Sequence, residues 1–263
     1  MPDRPYTAQE LMTVAAARRL RNNTVCFVGI GLPSAAANLA RITHAPGIVL
    51  IYESGTIGAK PDVLPLSIGD GELADNADTV VSVPEVFRYW LQGGRVDVGF
   101  LGAAQIDRFA NINTTVIGGT YRSPKVRLPG AGGAPEIATA AREVILVLKQ
   151  NTRTFVDRLD FVTSSGFVDS PPPGSHPLAA GRGPTTVITD LGVLSSTRES
   201  RELVLTALHP GVSPEQVRQA TAWPLRVAST VASTPPPTEQ ELKMLRDLHA
   251  RTAAAHGIAA ATE

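Results

Sequence analysis

Apolar residues in this chain gather into short unbroken runs, separated by stretches of helical length that are polar, glycine-rich or alanine-rich. Residues 24–28, 48–52, 80–83, 96–101 and 144–148 form such runs. Continuous rather than alternating apolarity suits central strands covered on both faces. Ahead of the first run, Thr7-Ala8-Gln9-Glu10 has the capping-box pattern, a hydroxyl followed three residues on by a carboxylate. It opens a helix through about Leu20, with Leu11, Val14 and Ala15 on one face, and Arg21-Asn22-Asn23 ends it. Gly29 to Ser34 reads as a turn into an alanine-rich helix over 35–41, and a further helical stretch covers 84–92. This alternation predicts an α/β fold: an open, mainly parallel sheet with helices on both faces. Sheets of that kind bind ligands beyond the carboxyl ends of their strands, which is where the glycine turns fall.

The texture changes after about residue 150. A Pro/Gly loop runs over about 170–184, too long for a simple connection. Residues 186–189 and 203–208 read as a pair of strands, and Ser213-Pro214-Glu215-Gln216 is another helix start. Pro235-Pro236-Pro237 is a stiff linker. Thr238-Glu239-Gln240-Glu241 then caps a C-terminal helix over about 238–256, whose Leu242, Leu245 and Leu248 form a docking stripe. With no internal repeat, the chain is expected to be a single domain over 1–263.

Composition narrows the function. Hydrophobic residues make up 43% and charged residues 18%, as in a soluble globular protein. The 24 basic and 24 acidic residues cancel, so charge gives no reason to expect nucleic acid or an anionic membrane as partner. No apolar run approaches the roughly 20 residues of a membrane span, and MPDRPYTAQELM lacks the pattern of a signal peptide. The one cysteine, Cys26, sits in Val25-Cys26-Phe27-Val28 and reads as a buried thiol. A cytoplasmic setting fits it. The five histidines are scattered, no metal-ligand spacing occurs, and no metal is expected.

Glu53 is the most informative residue. It follows an Ile/Val/Leu strand and opens the turn Glu53-Ser54-Gly55-Thr56-Ile57-Gly58, at the rim of the predicted sheet. Taken alone, that position suits a strand-end acid bonded to nearby N–H groups better than a catalytic one. Two other glycine clusters change the weighing. Pro129-Gly130-Ala131-Gly132-Gly133-Ala134-Pro135 can bring bare amides to a ligand, and fixed amides stabilise the oxyanion formed when a carbonyl is attacked. Gly29-Ile30-Gly31 could hold an anion at a helix N-terminus, although Pro33 stands where a dinucleotide fingerprint needs its third glycine. The segment 102–115, with Gln105, Asp107, Asn111 and Asn113, concentrates amides and hydroxyls after a strand. Lys60, Arg122, Lys125 and Arg127 could meet cofactor phosphates. No Gly-x-Ser-x-Gly follows a strand, which removes that hydrolase route.

VGIGLPS at 28–34, YESGTIGAKP at 52–61, LPLSIGDGELA around 65–74, FLGAAQIDRFANINTT at 100–115 and VRLPGAGGAPEIA at 126–138 together resemble the class I coenzyme A transferases. YWLQGGRVDVGF and ALHPGVSPEQV add to the likeness, which covers about residues 5–256. The branch it resembles is the second subunit of two-subunit forms acting on dicarboxylic acids such as glutaconate and 3-oxoadipate. The resemblance implies that Glu53 carries the acyl group and that Gly132 and Gly133 donate backbone hydrogen bonds beside it. Gly29, Gly31, Ser54, Gly55, Gln105 and Asn113 lie on turns near substrate or CoA by the same resemblance. It also implies an α-subunit partner in an α2β2 assembly, CoA esters and dicarboxylates as substrates, and no permanently bound cofactor. Ser54 replaces an Asn common in the family, and Ala110-Asn111 replaces a usual Gly-Asn. An acyl-CoA or β-diketone hydrolase on the same fold is the alternative enzyme, with water in place of the acceptor acid. A ligand-sensing, non-enzymatic subunit would require a walled-off Glu53.

Overall fold

The structure is a computed structural model and describes residues 5–166, 183–196 and 202–257. Most of the expected Pro/Gly loop at about 170–184 lies outside them. The chain divides into two compact units, Met1–Val86 with Pro237–Glu263, and Phe87–Pro236. The second boundary falls within the triproline.

The first unit contains α1 (Ala8–Ala17), β1 (Val25–Val28), α2 (Leu32–Ile42), β2 (Val49–Tyr52), β3 (Thr56–Ile57), α3 (Glu72–Asp75), β4 (Thr79–Val80) and the short α4 (Val83–Glu85). Its strands lie in the order β1-β2-β3-β4. β1 and β2 are parallel, and β3 runs against both of its neighbours, β2 and β4. α2 starts three residues earlier than its alanine run predicts. Pro33 sits in the first turn, where a missing N–H costs nothing. The apolar run 80–83 is not a central strand. Only Thr79 and Val80 pair, at the edge of the order, and Val80 is 56% exposed.

A π-helical turn, Val86–Leu91, occupies the expected helix at 84–92. The second unit then follows with β5 (Val98–Leu101), β6 (Gln105–Ile106), β7 (Ile112–Asn113), β8 (Val116–Gly119), β9 (Pro124–Arg127), α5 (Ala134–Ala140), β10 (Glu143–Leu148), β11 (Pro184–Thr189), β12 (Gly192–Ser196), β13 (Leu203–Leu208), α6 (Pro214–Gln219) and β14 (Arg226–Ser233). Six of these strands lie in the order β14-β13-β12-β11-β10-β5. β5, β10 and β11 are mutually parallel, β12 is reversed, and β13 and β14 return to the common direction. The sheet order is therefore mainly parallel within an α/β architecture, as the alternation predicts. β6–β7 and β8–β9 are separate two-stranded ribbons.

The last helix, α7 (Glu239–His256), belongs to the first unit. Leu242, Leu245 and Leu248 are buried, so the leucine stripe docks on the chain's own core. No helix among the described residues is long and apolar enough to cross a membrane.

α1 and α7 begin with the same device and share it reciprocally. Thr7 and Glu10 form a complete capping box, as do Thr238 and Glu241. The Glu10 carboxylate also takes Arg246 of α7 at 2.6 Å, and Glu241 takes Arg18, at the C-cap of α1, at 2.6 Å. Burial pushes both carboxyl pKa values up. Hydrogen bonds from Arg246 and Thr7 to Glu10, and from Arg18 and Thr238 to Glu241, outweigh it and leave both lowered. A carboxylate depressed on folding stabilises the fold above its unfolded pKa and stops doing so as pH falls through its folded value. Urea midpoints should therefore hold near neutrality and fall below about pH 4.5. Glu10→Gln with Glu241→Gln should cost about 1 kcal/mol per site at pH 7 and flatten that acid loss. An unchanged acid limb in the double variant would rule out the clasp as its source.

Candidate active site

In the first unit the site residues collect at one sheet edge for a topological reason. β1 and β2 are parallel and in register, with Val28 opposite Tyr52. Gly29 and Glu53 are thus each the first residue past the carboxyl end of its strand. The chain then turns back at once, because Ile57 of β3 pairs with Ile51 of β2. Glu53, Ser54 and Gly55 are the whole connection.

The turn is closed by Gly55 N–H donating to Tyr52 O at 3.0 Å, and tied outward by Val81 N–H donating to Gly55 O at 2.9 Å. Gly55 has φ +109°, and a Cβ there would lie 2.0 Å from Val81 O. Only glycine meets both demands. Glu53 at the tip is half-buried, and among the described residues no hydrogen bond or ion pair engages its carboxylate. Ser54 Oγ and Thr56 Oγ1 are buried with no hydrogen-bond partner among the described residues.

Beside this edge α2 begins. Gly31 is its N-cap at φ +82°, with no side-chain cap, and a Cβ on Gly31 would meet nothing within 4 Å. The open start of an 11-residue helix presents unpaired N–H groups and positive potential.

The second unit carries the other predicted residues, and it joins two sequence segments that read as independent. Gln105 and Asn113 face each other across β6 and β7. Asn113 Nδ2 donates to Gln105 Oε1 at 2.8 Å and to Val116 O at 2.7 Å, while Asn113 Oδ1 accepts from Thr115 and Val116 N–H. Gln105 Nε2 donates to Asp160 Oδ2 at 2.9 Å. Both amide side chains are occupied in holding their loop.

That loop grips the glycine turn. Gly130 N–H donates to Thr114 O at 2.9 Å, and Thr114 Oγ1 donates to Gly130 O at 2.7 Å. Gly130 and Gly132 have φ +106° and +49°. Gly133 caps α5, and Ala134 N–H closes the turn on Ala131 O at 3.0 Å. Among the described residues no acceptor takes the N–H groups of Gly132 and Gly133. The turn is rigidly held at its start and offers bare donors at its middle.

Of the candidate cations, Lys60 pairs with Asp78 at 2.5 Å. Arg127 lies 4.9 Å over the Tyr121 ring and donates to Tyr121 O. Ala110 adopts φ +61°, the left-handed conformation that explains why glycine suits this position better. Sequence reasoning missed the polar row on α2 formed by the buried Ser34 and Asn38 and the half-buried Arg41. Its signal was present, as polar residues at helical spacing within an alanine-rich segment. Asp160 and Thr163, which brace the 105–115 loop, carry no sequence signal because each lies more than 40 residues from its partner.

This geometry has known counterparts. The family model described as Coenzyme A transferase matches residues 9–220. The chain is 64% identical over 252 residues to the B subunit of 3-oxoadipate CoA-transferase of Pseudomonas knackmussii, covering 96% of each chain. It is 34% identical over 252 residues to the B subunit of glutaconate CoA-transferase of Acidaminococcus fermentans, covering 92% of each. The crystal structure of glutaconate coenzyme A-transferase from that organism superposes with a TM-score of 0.85 at 31% identity, covering 97% of this chain and 98% of the other. By sequence and fold, this chain belongs to the coenzyme A transferase family.

Proposed function

We propose that this chain is the β subunit of a CoA-transferase that moves CoA from succinyl-CoA to a dicarboxylic acid, 3-oxoadipate first among them, through a covalent glutamyl-CoA thioester on Glu53. One observation carries the reading: a half-buried carboxylate with no partner among the described residues stands at the tip of a three-residue turn, at the carboxyl edge of a parallel strand pair. The 64% identity to the B subunit of a 3-oxoadipate CoA-transferase supports the substrate choice.

The Glu53 carboxylate attacks the thioester carbonyl of succinyl-CoA, and CoA thiolate leaves, giving a mixed succinyl–glutamyl anhydride. The thiolate then attacks the glutamyl carbonyl, forming the enzyme–CoA thioester and releasing succinate. A carboxylate of the acceptor attacks that thioester, expelling CoA thiolate and forming a second anhydride. The thiolate attacks the acceptor's acyl carbon, which frees the new CoA ester and restores Glu53. Each tetrahedral step places negative charge on a carbonyl oxygen, and the unengaged N–H groups of Gly132 and Gly133 are proposed as its donors. Gly29, Gly31, Ser54 and Gly55 shape the substrate-facing turns. Gln105 and Asn113 act by holding the 113–116 loop. The thioester energy is kept in covalent intermediates, so water must be excluded.

The partner is an α subunit in an α2β2 assembly, in the cytoplasm, and this chain alone is inactive. CoA enters as a thioester substrate rather than a resident cofactor. The test uses the co-expressed pair. Incubation with succinyl-CoA followed by borohydride or hydroxylamine should modify Glu53, located by peptide mass. An enzyme that turns over with Glu53 unmodified under these conditions would refute the covalent route.

A further inference from the structure

We propose that one polar face of α2, formed by the buried Ser34 and Asn38 with the half-buried Arg41, fixes the Glu53 turn through Tyr52 and Pro61, which makes Tyr52 a positioning residue for CoA transfer. This rests on the reading of Glu53 as acyl carrier.

Residues 34, 38 and 41 follow each other at i, i+4 and i+7, so they share one helix face. Ser34 and Asn38 are 0% exposed, in a helix whose other buried positions are mostly alanine. Polar groups buried this deeply need partners; Ser34 and Asn38 find them in each other and in Tyr52, while the half-buried Arg41 reaches Pro61 at the far end of the same loop. Ser34 Oγ and Tyr52 Oη share a hydrogen bond at 3.0 Å. Asn38 Nδ2 donates to Ser34 O at 3.0 Å and, at 3.4 Å, towards Tyr52 Oη. Arg41 Nε donates to Asn38 Oδ1 at 3.2 Å, which sets the Asn38 amide so that its N–H groups face Ser34 and Tyr52. Arg41 Nη2 donates to Pro61 O at 2.7 Å. One polar row therefore holds the residue just before Glu53 and the residue that ends the 53–60 return.

Tyr52 couples this row to the turn itself. Its hydroxyl is held by α2, and its carbonyl is the acceptor that closes the turn from Gly55 N–H at 3.0 Å. The ring is fully buried. Burial pushes the phenol up to about 12, against the lowering effect of its bonds to Ser34 and Asn38. It stays protonated at working pH and serves as a fixed hydrogen-bonding group. A phenylalanine would fill the same space without burying a hydroxyl, so the hydroxyl supplies direction rather than bulk.

The experiment is rapid-quench measurement of thioester formation on Glu53, using succinyl-CoA and the co-expressed αβ enzyme. Tyr52→Phe should form the thioester about tenfold more slowly, as expected when a nucleophile is slightly misplaced, with KM for succinyl-CoA within about twofold. Thr252→Val is the stability control. It removes a buried hydroxyl bonded to Leu64 N–H and Leu248 O in the same unit, which among the described residues shares no hydrogen bond with Ser34, Asn38, Arg41 or Tyr52, and it should keep the wild-type rate. A wild-type rate in Tyr52→Phe, or an equal slowing in Thr252→Val, overturns the proposal. Should Tyr52→Phe fail to fold, Ser34→Ala keeps the ring and should slow the step about threefold. A wild-type rate there overturns the proposal as well. Absence of any Glu53 adduct in the wild-type enzyme would instead remove the acyl-carrier reading and this inference with it.

Discussion

Glu53→Ala in the assembled enzyme should lower kcat for CoA transfer about 10⁴-fold or more, the loss typical when a covalent nucleophile is deleted. The same variant should fold as well as the wild type. The carboxylate is half-buried, and among the described residues no hydrogen bond or ion pair depends on it. Surface changes away from such contacts stay within about 0.5 kcal/mol. Activity and stability should thus separate completely at this position. Glu53→Asp sharpens the test, since it keeps the charge but draws the carboxylate back by one methylene. Misplacement on that scale is expected to cost about 10²-fold. Full activity in Glu53→Ala would end the covalent proposal, and a large loss of stability would mean that Glu53 braces the fold.

The second large effect is one of stability and belongs to the turn beneath Glu53. Gly55→Ala should destabilise the protein by about 3 kcal/mol and abolish transfer with it. The new Cβ would sit 2.0 Å from Val81 O, a backbone atom, in a residue held at φ +109°. Relief would require moving the Gly55–Val81 tie that anchors the turn. Gly58→Ala is the informative comparison. Its Cβ would meet Asp78 Oδ2 at 2.1 Å with φ +68°. Asp78 is an exposed side chain paired only with Lys60 among the described residues, and it can swing away. The cost there should be about 1–2 kcal/mol, mainly for the left-handed backbone. Urea melts of both variants give the order. Equal costs would show that the Val81 contact yields easily and that the turn is softer than its geometry suggests.

Several features of this chain are legible in its residues alone, because they depend on neighbours in sequence. The capping boxes at Thr7 and Thr238 form as read, since both partners lie within one helical turn. Residues 25–28, 49–52, 98–101 and 143–148 are strands because unbroken apolar runs need cover on both faces. Glu53 stands out by the same logic, as a carboxylate between a buried strand and a glycine turn. Where apolarity misleads, burial explains it. Residues 80–83 are apolar yet lie at an exposed edge. β14, Arg226–Ser233, escapes a reading by pattern because exposed and half-buried positions fill it, leaving no apolar run. β12 escapes it through its brevity and its glycine and serines.

Sequence alone determined the kind of fold, the family and the identity of the one carboxylate singled out for the chemistry, because periodicity, caps and motif residues are local properties. Tertiary structure decided how that carboxylate's turn and, separately, the second unit's glycine turn are held. Parallel register puts Gly29 and Glu53 at one edge, Val81 leaves room only for glycine at 55, and Thr114 clamps Gly130 from sixteen residues away. Ser34, Asn38 and Arg41 reach Tyr52 and Pro61 only once α2 packs on β2. Such contacts join residues whose separation along the chain carries no regular spacing, so no pattern in the sequence can announce them.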